Sequence, residues 1–150
     1  MSAAVIVALR VAATPPAAFA AFTDGTSNTF LAGESVNGVG KYDVGPPPRF
    51  GPYWGSGTHT AVHGRIRPPS QANAIAFLPN APAGILYPTG SSDFQKKAPY
   101  AWVFSSKHSG GVNMLMGDGS VRFIKNSISI TTWWAASTMA GGEVISSDAF

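Results

Sequence analysis

Lys107-His108-Ser109-Gly110-Gly111-Val112-Asn113-Met114-Leu115-Met116-Gly117-Asp118-Gly119-Ser120-Val121-Arg122-Phe123-Ile124 is the stretch on which the fold turns. Residues 112–116 and 120–124 are two runs of strand formers, and Asp118-Gly119 lies between them. A tight hairpin turn needs positive φ angles, which an Asp-Gly pair supplies at low steric cost, so the stretch reads as a β-hairpin. Val112, Met114 and Met116 fall on one face of the first arm and Leu115 on the other. An arm apolar on both faces belongs inside a sheet that something else covers. His108 stands before the Gly110-Gly111 bend. One of its ring nitrogens, bonded to a backbone group across that bend, would hold the mouth of the hairpin. Asn113 alternates with apolar neighbours and is expected to be a satisfied polar group in or beside the sheet.

The cover follows directly. Ser129 is a good N-cap, residues 130–140 have the pattern of a three-turn helix, and Gly141-Gly142 stop it. Ile130, Trp133, Ser137 and Ala140 share one stripe, with Trp133 as the expected buried anchor and Trp134 pointing elsewhere. Upstream, residues 5–9 read as a strand and Thr14-Pro15-Pro16 as the start of a short helix ending at Asp24-Gly25. Residues 26–32 read as a second strand, with 50–54, 74–78 and 100–104 as further candidates and 143–146 as a last strand or tail. Residues 35–99 hold most of the Gly and Pro punctuation, including Pro46-Pro47-Pro48, and read as a loop-rich insertion.

Composition bounds the function. The chain has 150 residues, room for a single domain over 1–150 with a real core. Only 11% of its residues are charged, against about 25% in soluble domains at large. With 17 Gly and 12 Pro this predicts many turns and little exposed helix. The net charge of +3 is spread too thinly for the basic stripe that phosphate backbones require, so no nucleic-acid partner is expected. Cysteine is absent, which removes disulfides, thiolate nucleophiles and Cys-based zinc sites. No window reaches the roughly 18 apolar residues of a membrane span, so these residues themselves are expected to make no membrane contact. Residues 1–22 are apolar but lack a basic start, and Arg10 and Pro15-Pro16 interrupt them. A strand and a short helix fit them better than a signal peptide, although Ala18-Phe19-Ala20 resembles a cleavage site.

Three pieces of sequence together resemble a family. They are Thr23-Asp24-Gly25-Thr26-Ser27-Asn28-Thr29 leading to Gly33-Glu34; His108 followed after nine residues by Asp118-Gly119; and Thr132-Trp133 leading to Gly141-Gly142-Glu143-Val144. In this order they look like the C-terminal region of a large bacterial family with a domain of unknown function. That family is expanded in Planctomycetes, has type IV prepilin-type N-termini, and its last region is named for the His-X9-Asp-Gly pattern. The likeness is strongest over 15–34 and 100–150. It implies an α+β fold: an antiparallel sheet whose C-terminal hairpin is packed by one helix, a pilin- or pseudopilin-like globular head with long Pro/Gly-rich loops. Relatives begin with a basic leader and a long apolar helix. This chain shows neither and looks like the head without its stalk, a piece of a longer protein or one read from an internal Met. The resemblance further implies an exported protein at the cell surface or in the periplasm, tethered by such a helix, with other pilin-like subunits or surface components as partners. It implies no activity.

Several constellations invite chemistry. His59 and His63 are four apart and, with His108 and Glu34 or Asp118, would make a three- or four-ligand metal site. The Glu of the zinc-protease motif is missing beside His59, and the glycines around it argue against a helix. Asp118 and Asp24 sit in Gly-rich turns of the kind that offer oxygens to calcium. The plainer reading is a carboxylate that accepts turn amides. Ser109 beside His108 is no hydrolase arrangement, since Gly-X-Ser-X-Gly is absent. His108, Gly110, Gly111, Asn113, Asp118, Gly119 and Trp133 are therefore read as structural. Tyr53, Trp54 and Trp134, with Tyr100 nearby in kind, form a candidate contact patch for another subunit or a glycan. The reading is a non-catalytic structural or surface protein used in assembly or adhesion. A carbohydrate- or calcium-binding module is the alternative and a metal-dependent enzyme a distant third; apart from calcium no cofactor is expected.

Overall fold

A computed structural model describes residues 4–9, 19–36, 63–81, 103–146 and 148–150, with 4–9, 36 and 63 as backbone only. Its centre is a five-stranded sheet formed by β1 (Ala4–Leu9), β2 (Phe30–Val36), β3 (His63–Gly64), β4 (Gly111–Met116) and β5 (Val121–Lys125). The spatial order is β3-β1-β2-β4-β5. All neighbours are antiparallel except the short β1–β3 pair. With the helix α1 (Ile130–Ala135) the arrangement is α+β, as the hairpin pattern and the helix behind it predict.

The hairpin is β4–β5, in register from Gly111↔Lys125 to Leu115↔Val121. Its turn differs in detail from the expected one. Gly119 N–H bonds to the Met116 carbonyl at 3.0 Å, and Gly119 has a φ of +85°. Asp118 keeps a negative φ, so one left-handed residue closes the turn, as in longer hairpin loops with a terminal glycine. β4 lies between β2 and β5; Val112, Met114 and Met116 on one face are fully buried, whereas Asn113 and Leu115 on the other are only half-buried, so the arm is fully covered on one face and not on both.

The buried face packs on α1. Phe30, Phe104, Val112, Met114, Met116, Ile124, Ile128, Trp133 and Ala136 form the main core. Trp133 is its anchor: the indole lies 4.9 Å from the Phe30 ring and 5.8 Å, edge-on, from Phe104. Its Nε1–H donates to the Phe77 carbonyl at 2.9 Å, tying in a second cluster of Ala76, Phe77, Ala81 and Val103. Phe104 rests directly on backbone. A methyl added to Gly33 would come within 2.6 Å of its Cδ1, and one added to Gly64 within 2.0 Å of its Cζ. These glycines are there for close approach rather than for their torsions.

Several elements depart from expectation, each for a visible reason. The helix stops at Ala135, not at 140. The Thr138 hydroxyl donates to the Ala135 carbonyl and the Ser137 hydroxyl to the Trp134 carbonyl, taking acceptors a longer helix would use. The Ala136 carbonyl accepts from Phe30 N–H at 2.7 Å instead. Ala140, placed on the buried stripe by periodicity, is consequently exposed, and Ala136 takes its place in the core. The second strand begins four residues late. Thr26–Asn28 form a 3-10 turn whose neighbourhood seats the hairpin tip: Asp118 N–H bonds to Thr26 O at 3.1 Å and Gly117 N–H to Thr29 O at 2.8 Å. Residues 74–78 are a 3-10 turn (Ala74–Phe77) rather than a strand, entered through left-handed Asn73. A short apolar run does not by itself distinguish the two. Val103 and Phe104 are buried beside β2 without forming a strand; Ser105 N–H bonds to Glu34 O at 3.0 Å. Residues 143–146 form no strand. Phe19–Ala21 is a single 3-10 turn where a short helix was expected, while residues 14–18, 50–54 and 100–102 lie outside the described residues.

Candidate functional site

The β2–β4 pairing runs from Phe30↔Met116 to Gly33↔Met114. At the next position β2 turns its backbone toward Ser105, and the Glu34 side chain takes over the contact with β4. Its Oε1 accepts from the Asn113 N–H at 2.7 Å and from Asn113 Nδ2 at 3.2 Å. Its Oε2 lies 3.4 Å from His108 Nε2. Glu34 is 13% exposed and His108 56% exposed, so the carboxylate is set into the sheet while the imidazole lies across it from the solvent side. The expected bond from the His108 ring to a backbone group is replaced by this carboxylate, and the ring stands edge-on to Phe123 at 6.4 Å. Asn113 is satisfied, as expected.

The bend before Gly110-Gly111 is held by residues that sequence reading passed over. Ser106 Oγ accepts from His108 N–H at 3.0 Å and donates to Gly111 O at 2.6 Å. Asn80, left-handed at φ 57°, accepts from Ser106 N–H at 2.7 Å through its Oδ1, while its Nδ2 donates to Asn126 Oδ1 and Gly111 O. The signal for Asn80 was local: Pro79-Asn80 is a turn pair, and Asn tolerates the left-handed region.

The second clasp is Asp24. Its Oδ2 accepts from Gly141 N–H at 2.7 Å and its Oδ1 from Gly142 N–H at 2.9 Å; the Thr138 hydroxyl reaches toward Oδ2 at 3.4 Å. Thus the first and third of the sequence pieces are joined through one carboxylate. Asp118 Oδ1 accepts from Ser120 Oγ at 2.6 Å and Ser120 N–H at 2.9 Å. The Ser120 hydroxyl, then its amide, hold the Asp118 carboxyl below the ordinary carboxylate value. Asp24 and Asp118, the calcium candidates, both serve as acceptors for turn amides, and among the described residues no three His, Asp or Glu side chains are gathered. His59, Tyr53, Trp54 and Tyr100 lie outside the described residues, and His63 is described only as backbone in β3.

Trp134 is half-buried and, among the described residues, lines a groove of about 360 Å³ with Arg65, Ile66, Arg67, Pro68 and Gln71. Among the described residues no hydroxyl is hydrogen-bonded to the His108 ring. What the motif residues do is couple distant backbone: Glu34 to Asn113, Asp24 to Gly141-Gly142, and the hairpin tip to Thr26.

The profile of the family described as protein of unknown function (DUF1559) matches residues 8–131. No curated protein and no solved structure matches. The match covers most of the chain, which therefore belongs to this family.

Proposed function

We propose that this chain is the pilin-like head of an exported, non-catalytic protein that works at the cell surface or in the periplasm, in assembly with other pilin-like subunits or in adhesion. One observation supports the reading above the others: the polar groups of the His108–Asp118 motif and of its companion pieces are engaged with one another. Glu34 takes Asn113 and lies beside His108, Asp24 takes the Gly141 and Gly142 amides, and Asp118 takes Ser120. Groups spent on cross-bracing make a rigid display platform, which is what an assembling or adhesive head requires. The pilin-like character itself rests on the sequence resemblance. The test is labelling of intact cells that make the protein, using a membrane-impermeant amine reagent against exposed Lys107 and Lys125. Labelling of intact cells, or of cells whose outer membrane alone has been opened, is expected; a protein labelled only once the inner membrane is broken would end the proposal.

A further inference from the structure

The chain holds two Asp-Gly pairs in nearly the same local setting, Asp24-Gly25-Thr26 and Asp118-Gly119-Ser120. Such a pair can rearrange without any enzyme, because glycine has no side chain to shield its nitrogen from the carboxyl before it. The fold treats the two pairs differently. The Asp24 carboxyl reaches away from its own glycine to the far end of the chain, where Oδ2 accepts from Gly141 N–H and Oδ1 from Gly142 N–H. The backbone beside it is fastened as well: Gly25 N–H bonds to Phe22 O at 3.1 Å, and Gly25 O accepts from Asn28 N–H and from the Thr29 hydroxyl, both at 3.1 Å. Asp24 and Gly25 are half-buried.

Asp118, Gly119 and Ser120 are all exposed at the tip of the hairpin. The Asp118 carboxyl is tied through Oδ1, to the hydroxyl and the amide of its near neighbour Ser120. A bond to the amide two residues on folds the carboxyl forward over the Asp118–Gly119 peptide, which sets Cγ on the side of the Gly119 nitrogen. That nitrogen donates to Met116 O at 3.0 Å, and a methyl built on Gly119 meets nothing within 4 Å. We infer that Asp118-Gly119 is a site of spontaneous isoaspartate formation in the folded protein, restrained by Ser120, and that Asp24-Gly25 is locked against the same reaction. The Asp118 carboxylate first takes a proton from solvent. The Gly119 nitrogen then attacks Cγ, an N–Cγ bond forms, and the amide proton leaves with the carboxyl OH as water, closing a succinimide. Water adds at the α-carbonyl and reopens the ring, so the main chain now runs through Cγ, the α-carboxylate is free and the proton returns to solvent. Ser120 slows the first step because its hydroxyl and amide hold the Asp118 carboxyl below its ordinary range and so keep it ionised, the form from which water cannot leave. The product has one more carbon in the main chain of the turn, which pulls the Gly117 and Asp118 amides from Thr29 O and Thr26 O.

The test is incubation of the full chain for several weeks at physiological temperature and neutral pH, with a sample in denaturing urea as the time base. Tryptic peptides are read by mass spectrometry with electron-transfer fragmentation, which places isoaspartate at each residue; deamidation at Asn37-Gly38 is told apart by its gain in mass. In the native chain isoaspartate is expected at residue 118 at least about tenfold ahead of residue 24, where two charge-assisted bonds must open at once. In urea the two pairs should react at similar rates. Ser120→Ala should react severalfold faster at residue 118 and unchanged at residue 24, while Ser120→Thr, which keeps the hydroxyl, should stay near the parent; circular dichroism checks that both are folded. Native residue 24 reacting as fast as 118, no product at native 118 while the urea sample reacts, a difference between the pairs that persists in urea, or equal rates at 118 for Ser120→Ala and the parent would overturn the inference.

Discussion

Replacing Glu34 by Ala tests whether a carboxylate, rather than the histidine of the motif, holds the sheet together. The substitution takes the acceptor from the Asn113 N–H and Nδ2, at 2.7 and 3.2 Å. A part-buried amide that loses a charged acceptor costs about 1–3 kcal/mol. The His108 contact adds little, because an ion pair with one partner more than half exposed contributes on the order of a few tenths of a kcal/mol. Glu34→Ala should therefore destabilise by about 1.5–3 kcal/mol and His108→Ala by less than about 0.5 kcal/mol. Glu34→Gln keeps an oxygen toward Asn113 and should fall between them. Urea unfolding followed by circular dichroism reads this directly. With a slope near 2 kcal/mol per molar, the Glu34→Ala midpoint should drop by about 1 M. Equal losses for Glu34→Ala and His108→Ala, or a Glu34→Ala midpoint within error of the parent, would refute the reasoning.

Trp133→Phe removes the Nε1–H bond to Phe77 O but keeps most of the ring stacking on Phe30, and should cost about 1–3 kcal/mol in the same assay; Trp133→Ala should cost about 3–5 kcal/mol. Gly111→Ala would set a methyl 2.2 Å from the Ile124 carbonyl, a backbone atom of the paired strand, whereas Gly119→Ala meets nothing but must hold a φ of +85°. Gly119→Ala should thus lose about 1–2 kcal/mol and leave the hairpin intact, while Gly111→Ala loses more and shifts the β4–β5 amide resonances. Because the fold lowers the Asp118 carboxyl, that group favours the native state when ionised; its contribution is full above the ordinary value of 3.8 and fades as pH falls through the lowered one. Ser120→Ala should raise the Asp118 titration midpoint toward 3.8, measured by NMR, and an unmoved midpoint would assign the lowering elsewhere.

The local signals in the sequence were strong where one residue type has one physical use. Asp118-Gly119 marked the hairpin, Ser129 capped α1 through Thr132 N–H, and Trp133 proved to be the largest fully buried side chain among the described residues. Pattern reading faltered where tertiary partners compete for backbone groups. Nothing local says that Thr138 and Ser137 will claim helical carbonyls, or that Asp118 and Gly117 will occupy the carbonyls of Thr26 and Thr29. Glu34 was legible only as the end of the Gly33-Glu34 piece, just beyond the strand expected over 26–32, and as a candidate metal ligand. Its use as a substitute ladder acceptor depends on β2 parting from β4 one residue earlier. The groove was invisible for a similar reason: Trp134 was singled out, but Arg65 and Arg67 reach it through Phe77, a contact no spacing encodes.

Glu34 and Asn113 are 79 residues apart in the chain, yet they meet at the middle of the sheet. Two stretches so remote can find each other only late in folding, after the β4–β5 ribbon has formed from near neighbours. The entropic toll of that long closure grows only logarithmically, by about 0.6 kcal/mol for each doubling of the intervening chain. Lengthening that intervening chain is thus expected to cost little thermodynamically so long as Ile66, Phe77 and Phe104 keep their places in the core, and the penalty should appear as slower refolding rather than as a weaker native state.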